Sequence, residues 1–198
     1  MAKAYVFDIG GVLIGLNMKA CIQAFREILG FERITELLDP YHQKGIYGDL
    51  EAGAISADEF RSLVLAESRP GARPGDVDRC MAALLTGMDA RTVAAVKALQ
   101  GRYPLYLLSN NNPISMAHCR EILRENGLGE AFQGEFISSD LKMLKPSAAF
   151  YQEVIRRIGL PAGEIVFIDD NLANVEGARA VGMDARHYPA GTDIGLVL

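Results

Sequence analysis

Four short stretches carry the residues that could do chemistry. Asp8 directly follows the apolar run Tyr5-Val6-Phe7 and precedes Gly10-Gly11. Ser109-Asn110 closes the run Leu105-Tyr106-Leu107-Leu108, and Asp169-Asp170 closes Ile165-Val166-Phe167-Ile168. The run Glu135-Phe136-Ile137-Ser138 leads through a polar loop to Lys145. Carboxylates brought together repel one another and call for a hard cation. Mg²⁺ takes oxygen ligands and often bridges a substrate phosphate. Lys145 would add a second positive charge, and the Ser109 hydroxyl with nearby backbone N–H groups can cradle an anion. In that setting Asp8 can attack phosphorus in line, which is nucleophilic catalysis through an aspartyl phosphate with electrostatic stabilisation of the transferring group. Any one stretch is also an ordinary solvated turn, so their convergence has to come from the fold.

The pattern of elements supplies it. Short apolar runs predict strands over 3–8, 104–108, 135–138 and 164–168, with a weak fifth over 185–188. Helical periodicity predicts helices over 92–99, 114–126, 148–158 and 174–181, three of them closed by Gly127, Gly159 and Gly182. Strands alternating with helices of this length specify an α/β fold, a Rossmann-like doubly wound parallel sheet. In such sheets ligands bind beyond the carboxyl ends of the strands, near a switch in strand order. The stretch from 15 to 86 contains no convincing strand. Helices are expected over 20–29 and 32–38, after the capping box Ser56/Glu59, and from Asp76 through Leu85, whereas 41–50 reads as polar and irregular. The expected division is a core of residues 1–14 and 87–198 with a helical insertion at 15–86.

Composition narrows the function classes. The chain has 198 residues, 49% hydrophobic and 23% charged, with net charge -5. That is an ordinary globular balance with room for a sizeable core. Without a long basic run, no nucleic-acid partner is expected. Cys21, Cys80 and Cys119 show no paired spacing and read as reduced thiols in a cytoplasmic protein. No apolar stretch approaches the ~20 residues of a membrane span. The run from Tyr5 is interrupted by Asp8, so no secretory leader is expected.

Taken together, Asp8-Ile9-Gly10-Gly11-Val12-Leu13, Leu107-Leu108-Ser109-Asn110, Lys145-Pro146 and Phe167-Ile168-Asp169-Asp170-Asn171 resemble the four motifs of the haloacid dehalogenase-like (HAD) hydrolase superfamily, in the family's order. The insertion resembles the small cap of its type I members. Glu51 through Phe60, Leu141 through Pro146 and Asp169 through Gly177 look closest to a bacterial branch that includes an α-glucose-1-phosphate phosphatase. The resemblance implies sheet order 5-4-1-2-3 and Mg²⁺ as cofactor. It makes Asp8 the nucleophile and a metal ligand, joined by the Gly10 carbonyl, Asp170 and Asp169. Ser109, Asn110 and Lys145 would hold the phosphate, with Lys145 part of the catalytic set. The substrate would be a small phosphomonoester such as an anomeric sugar 1-phosphate.

One departure stands out. Most phosphatases of the family carry a second Asp two residues after the nucleophile as general acid and base, and here that position is Gly10. General acid–base help is worth about 10²–10⁴-fold. His42 and Glu51 in the insertion are candidates to replace it, as is Asn111 as a water-positioning group. His118 and His187 read as structural. Two rivals follow. A metal-free 2-haloacid dehalogenase also lacks that Asp, but resembles Asp-x-Tyr-Gly-Thr at the first motif. A non-catalytic regulatory protein binding a phosphorylated metabolite would keep the fold without turnover.

Overall fold

The structure, a computed structural model, describes residues 2–39, 43–189 and 191–198. Its centre is a parallel sheet of β1 (Ala4–Phe7), β2 (Leu105–Ser109), β3 (Gly134–Ile137), β4 (Ile165–Asp169) and β5 (Asp184–His187), in the order β3-β2-β1-β4-β5. This is the expected order. The period of two is visible in the packing: Tyr5, Phe7, Leu105, Leu107, Val166 and Ile168 enter one apolar cluster. Val6, Leu108, Ile165 and Phe167 enter another on the opposite face. Strands buried on both faces explain the near-continuous apolar runs of β1 and β4.

Helices α6 (Ala90–Leu99), α7 (Pro113–Glu125), α9 (Ala148–Ile158) and α10 (Leu172–Ala180) connect the strands, and α8 (Ser138–Leu141) is a single turn after β3. Asp89 caps α6 through Arg91 and Thr92 N–H. The buried stripe of α6 is Thr92, Val96 and Leu99. α9 ends on Gly159 in the left-handed region, as expected.

Between β1 and α6 the chain forms α1 (Met18–Ala24, continuing as a π-helical turn to Leu29), α2 (Ile34–Leu37), α3 (Gly45–Glu51), α4 (Ala57–Ala66) and α5 (Pro74–Ala82). They close around their own apolar cluster, which includes Phe25, Phe31, Tyr47, Phe60, Val64 and Met81. Two expectations are corrected. Residues 45–51 are helical despite two glycines, because burial of Tyr47 and Leu50 outweighs weak local propensity. α5 starts at Pro74 rather than at Asp76, whose carboxylate instead accepts the Arg73 N–H from the third helical position. The Ser56/Glu59 capping box forms as expected.

The chain enters and leaves this helical layer side by side. Asn17 N–H donates to Leu84 O at 2.7 Å, Gly15 N–H to Gly87 O at 2.9 Å and Thr86 N–H to Gly15 O at 2.9 Å. Elsewhere Ser138 Oγ reaches the layer, donating to the carbonyl of Glu51 at 2.6 Å and accepting Asn111 N–H at 2.9 Å. Gly53 lies against Ser139 there: its φ is +67°, and a Cβ would stand 2.2 Å from the Ser139 carbonyl oxygen. No helix among the described residues is long and apolar enough to cross a membrane.

Candidate active site

The chain reverses direction across the sheet between β1 and β4, and Asp8 and Asp169 stand at the carboxyl ends of those neighbouring strands. Asp8 continues the pairing, its N–H donating to Ile168 O at 2.9 Å. Oxygen atoms of Asp8, Asp169 and Asp170 lie within 4.8 Å of one another. The sheet has therefore brought Asp8 to two acids that lie 161 and 162 positions further along the chain.

Lys145 neutralises part of this charge. Its ammonium lies 2.9 Å from Asp8 Oδ1 and 2.7 Å from Asp169 Oδ2, and also donates to Leu108 O at 3.1 Å. The ring of Phe167 lies beneath it at 5.6 Å. Burial alone would lower the Lys145 pKa. Asp169 and Asp8 more than offset that and hold it above its ordinary value. Burial pushes the Asp8 carboxyl up to about 7, against the pull of Lys145 and with Asp169 and Asp170 adding to the rise. Burial, then Asp169, also raises Asp170.

Asp169 and Asp170 divide the work. Asp169 Oδ1 accepts from Asn171 N–H (2.8 Å) and Asn174 Nδ2 (3.1 Å), while Oδ2 accepts from Lys145 and from Asn174 Nδ2 (3.1 Å). Its lone-pair sites are thus all engaged, although it was expected among the metal ligands. In this arrangement it anchors Lys145 while standing in the same acid group as Asp8 and Asp170. Asp170 remains available and packs over Gly11. With φ at +79°, Gly11 lets Asp170 approach so closely that a Cβ would sit 2.2 Å from Asp170 Oδ2. The Asp8 and Asp170 carboxylates are hard oxygen donors, and Gly10 lines the same cavity, a set that fits Mg²⁺ and not a softer metal.

The phosphate-holding candidates are placed as follows. Ser109 is buried and lines the same cavity as Asp8, Gly10, Lys145 and Asp170. Asn110 is turned to Lys145: its Oδ1 accepts Lys145 N–H at 2.8 Å and its Nδ2 donates to Lys145 O at 3.0 Å. Both ends of that amide are engaged, so its side chain positions Lys145. Asn111 lines the cavity, but its Oδ1 accepts Asn112 N–H at 2.8 Å and its Nδ2 faces the Cys119 sulfur at 3.9 Å.

Of the two candidates in the helical layer, His42 lies outside the described residues. Glu51, from the last turn of α3, lines the same cavity as Asp8. Burial, with Asp8 nearby, pushes its carboxyl up to about 8 while Lys145 pulls the other way. A group held protonated at neutral pH beside the acid cluster can donate a proton.

One contributor, Asn174, was not singled out from sequence. Asn174, one turn into α10, bridges both Asp169 oxygens, and its own carbonyl accepts the Tyr151 hydroxyl at 2.8 Å. His187 Nε2 lies 2.9 Å from the Asp170 carbonyl oxygen. The spacing Asp170-x-x-x-Asn174 was the available signal, since the first turn of a helix following a strand faces that strand's carboxyl end.

Comparison with known proteins agrees with this geometry. A family model described as haloacid dehalogenase-like hydrolase matches residues 2–182. The chain is 29% identical over 196 residues to D-ribitol-5-phosphate phosphatase of Bacteroides thetaiotaomicron, covering 98% of this chain and 95% of that one. It is 31% identical over 187 residues to a sesquiterpene phosphatase of Aspergillus oryzae, covering 93% and 89%. A HAD family enzyme of Bacteroides thetaiotaomicron, solved as wild-type protein with magnesium and inorganic phosphate, aligns with TM-score 0.85 at 28% identity, covering 98% and 97%. The specific likeness to an α-glucose-1-phosphate phosphatase is not shown by these relatives.

Proposed function

This chain belongs to the haloacid dehalogenase-like hydrolases, and on that footing we propose that it is a Mg²⁺-dependent phosphatase of a small phosphomonoester, working through an aspartyl phosphate on Asp8. The observation that carries the reading is the buried contact of Asp8 with Lys145, 2.9 Å apart in a cavity shared with Asp170 and Ser109. Asp8, Asp170 and the Gly10 carbonyl would hold the metal. Bound there, Mg²⁺ neutralises phosphate oxygens and keeps Asp8 ionised.

The chain's own groups do the rest. The phosphoryl group lies against Ser109, Lys145 and main-chain N–H groups at the end of β2. Asp8 forms a bond to phosphorus as the bond to the leaving oxygen breaks. Glu51 gives its proton to that oxygen, and the alcohol departs. Water then attacks phosphorus while Glu51 takes a proton from it, releasing phosphate and restoring Asp8. Glu51 thereby fills the role that an Asp at position 10 would have. Asp169, Asn110 and Asn174 keep Lys145 in place.

Several observations favour a small polar leaving group. The cavity measures about 120 Å³ and is walled by Tyr47, Glu51 and Ser115 as well as Leu16, Leu84 and Leu85. A relative named for D-ribitol 5-phosphate fits that chemistry. Sugar 1-phosphates belong to the same class. The deciding experiment is a screen of sugar, sugar-alcohol, nucleotide and acyl phosphates with and without Mg²⁺. Phosphate release that requires Mg²⁺ supports the reading. Halide release from a 2-haloacid without metal would replace it with the dehalogenase, and tight ester binding without turnover would replace it with the regulatory protein.

A further inference from the structure

One buried hydroxyl at the sheet edge has no part in the chemistry just described. Ile137, the last residue of β3, pairs with Ser109 at the end of β2, so Ser138 begins beside the phosphate-holding loop. Ser138 is fully buried. A serine hydroxyl has one proton to donate and two lone pairs. Here the oxygen accepts Asn111 N–H at 2.9 Å, and the Glu51 and Asn111 carbonyl oxygens lie 2.6 Å and 3.1 Å away. The shorter contact takes the proton, and the Asn111 carbonyl is met by Ser139 N–H at 3.4 Å. Glu51 is the last residue of α3, and the carbonyls at a helix end need partners from outside the helix. The turn that follows bonds to earlier carbonyls: Gly53 N–H to Leu50 O at 3.1 Å and Ala54 N–H to Asp49 O at 2.8 Å. Ser138 therefore serves the carbonyl of Glu51 itself, and the close approach of Gly53 to Ser139 keeps the two segments together.

We propose that Ser138 is a positioning residue for the proton transfer: its hydroxyl seats the end of α3 on the phosphate-holding loop and so fixes Glu51 relative to the leaving oxygen. The inference rests on the phosphatase reading, with Glu51 as proton donor, and adds the group that aligns the two halves of the site. Asp8, Ser109, Lys145 and Asp170 all come from the sheet edge. Glu51 comes from the helical layer, so its distance to a bound ester depends on how that layer sits. α3 is seven residues long and contains two glycines, so its own hydrogen bonds define its end weakly. A single oxygen atom joins the loop after β2, the start of α8 and the end of α3. Misplacing a reacting group by about 1 Å can cost on the order of 10²-fold in rate.

The test is Ser138→Ala in the full chain with Mg²⁺, read as kcat/KM on two esters. One is the aliphatic phosphate ester that the wild type turns over fastest. The other is p-nitrophenyl phosphate, whose leaving group departs without a proton. The aliphatic ester is expected to lose about 10- to 100-fold, and p-nitrophenyl phosphate no more than about threefold. In Ser138→Ala/Glu51→Gln the aliphatic ester is expected to stay within about threefold of Glu51→Gln alone, because both changes remove the same proton transfer. A loss of folded protein would lower both esters together and leave their ratio in place. Equal losses on the two esters, or losses that multiply in the double variant, overturn the positioning role while leaving the phosphatase intact. An aliphatic ester unaffected by Glu51→Gln overturns the proton donor and the positioning role with it. Absence of phosphate release from every ester of the panel overturns the phosphatase reading itself.

Discussion

The Lys145 ammonium and the Asp8 carboxylate meet at 2.9 Å, with only 1% and 11% of their side chains exposed. A buried pair of this kind is stabilising only while complete, because removing one partner leaves the other charged and unsolvated. Asp169, 2.7 Å away, depends on the same ammonium. Lys145→Ala is expected to cost about 3–5 kcal/mol in urea unfolding at neutral pH without added metal. A cost below about 1 kcal/mol would show that the acids are protonated or solvated in the native state.

Asp8→Asn preserves shape and removes the proposed nucleophile. Turnover is expected to fall by on the order of 10⁴-fold or more, while circular dichroism and the thermal midpoint show a folded protein. Steady-state activity within tenfold of wild type would take Asp8 out of the reaction.

Glu51→Gln separates the proposed proton donation from metal and phosphate binding. For an alkyl ester, whose leaving oxygen needs a proton, kcat is expected to fall about 10²–10⁴-fold. For p-nitrophenyl phosphate, whose leaving group departs as the anion, the loss is expected to be much smaller. Equal losses on the two esters would show that Glu51 only shapes the cavity.

The raised Glu51 pKa also links stability to pH. The folded state holds the Glu51 proton up to about pH 8, whereas an ordinary glutamate releases it near 4.5. Its contribution to stability is therefore complete below about pH 4.5 and is lost as pH rises through 8. Urea midpoints from pH 5 to 9 without metal are expected to fall more steeply for the wild type than for Glu51→Gln. Parallel curves would mean that the folded and unfolded chains hold this proton alike.

Gly10 and Gly11 have opposite tolerances. Gly11→Ala places a methyl group in the left-handed region and against the Asp170 carboxylate. Its expected effect is a loss of Mg²⁺ affinity of at least tenfold, read by titrating activity with the metal. At Gly10, φ is unexceptional and the nearest atom to an added Cβ is Leu16 Cδ1 at 3.1 Å, on a half-exposed side chain that can move. Gly10→Asp is expected to fold and to restore part of the activity lost in Glu51→Gln. Failure of that rescue in a folded double variant would mean that position 10 does not reach the leaving oxygen.

The sheet and its polar edge were legible because strands buried on both faces leave continuous apolar runs, and those runs end abruptly on Asp8, Ser109 and Asp169. What the runs do not encode is the division of labour among neighbouring acids. Asp169 and Asp170 look interchangeable in the chain. Only the inward turn of Asp169 toward Lys145 and Asn174 distinguishes them. The motif marks Asn110 as a phosphate-holding residue, and the engagement of its side chain with the Lys145 backbone depends on a loop 35 residues away. Helix α3 escaped the pattern because Gly45 and Gly48 weaken its local signal. Its formation rests on the burial of Tyr47 and Leu50 against elements distant in sequence. The same helix carries Glu51, so the weakest local signal in the chain belongs to the element that supplies the proposed proton donor.

The paired segments at 15–17 and 84–87 have a consequence for how such a protein can diverge. Because the helical layer begins and ends on adjacent, hydrogen-bonded backbone, it is topologically a single long loop on the sheet. Its length and contents can change by insertion, deletion or exchange without altering any strand pairing or the distance from Asp8 to Asp170. Apart from Glu51, selection on the leaving group thus falls on this stretch of the gene, and selection on Asp8, Lys145 and Asp170 falls on the stretches that form the sheet edge. One sheet edge can then serve many esters while the loop above it is rewritten.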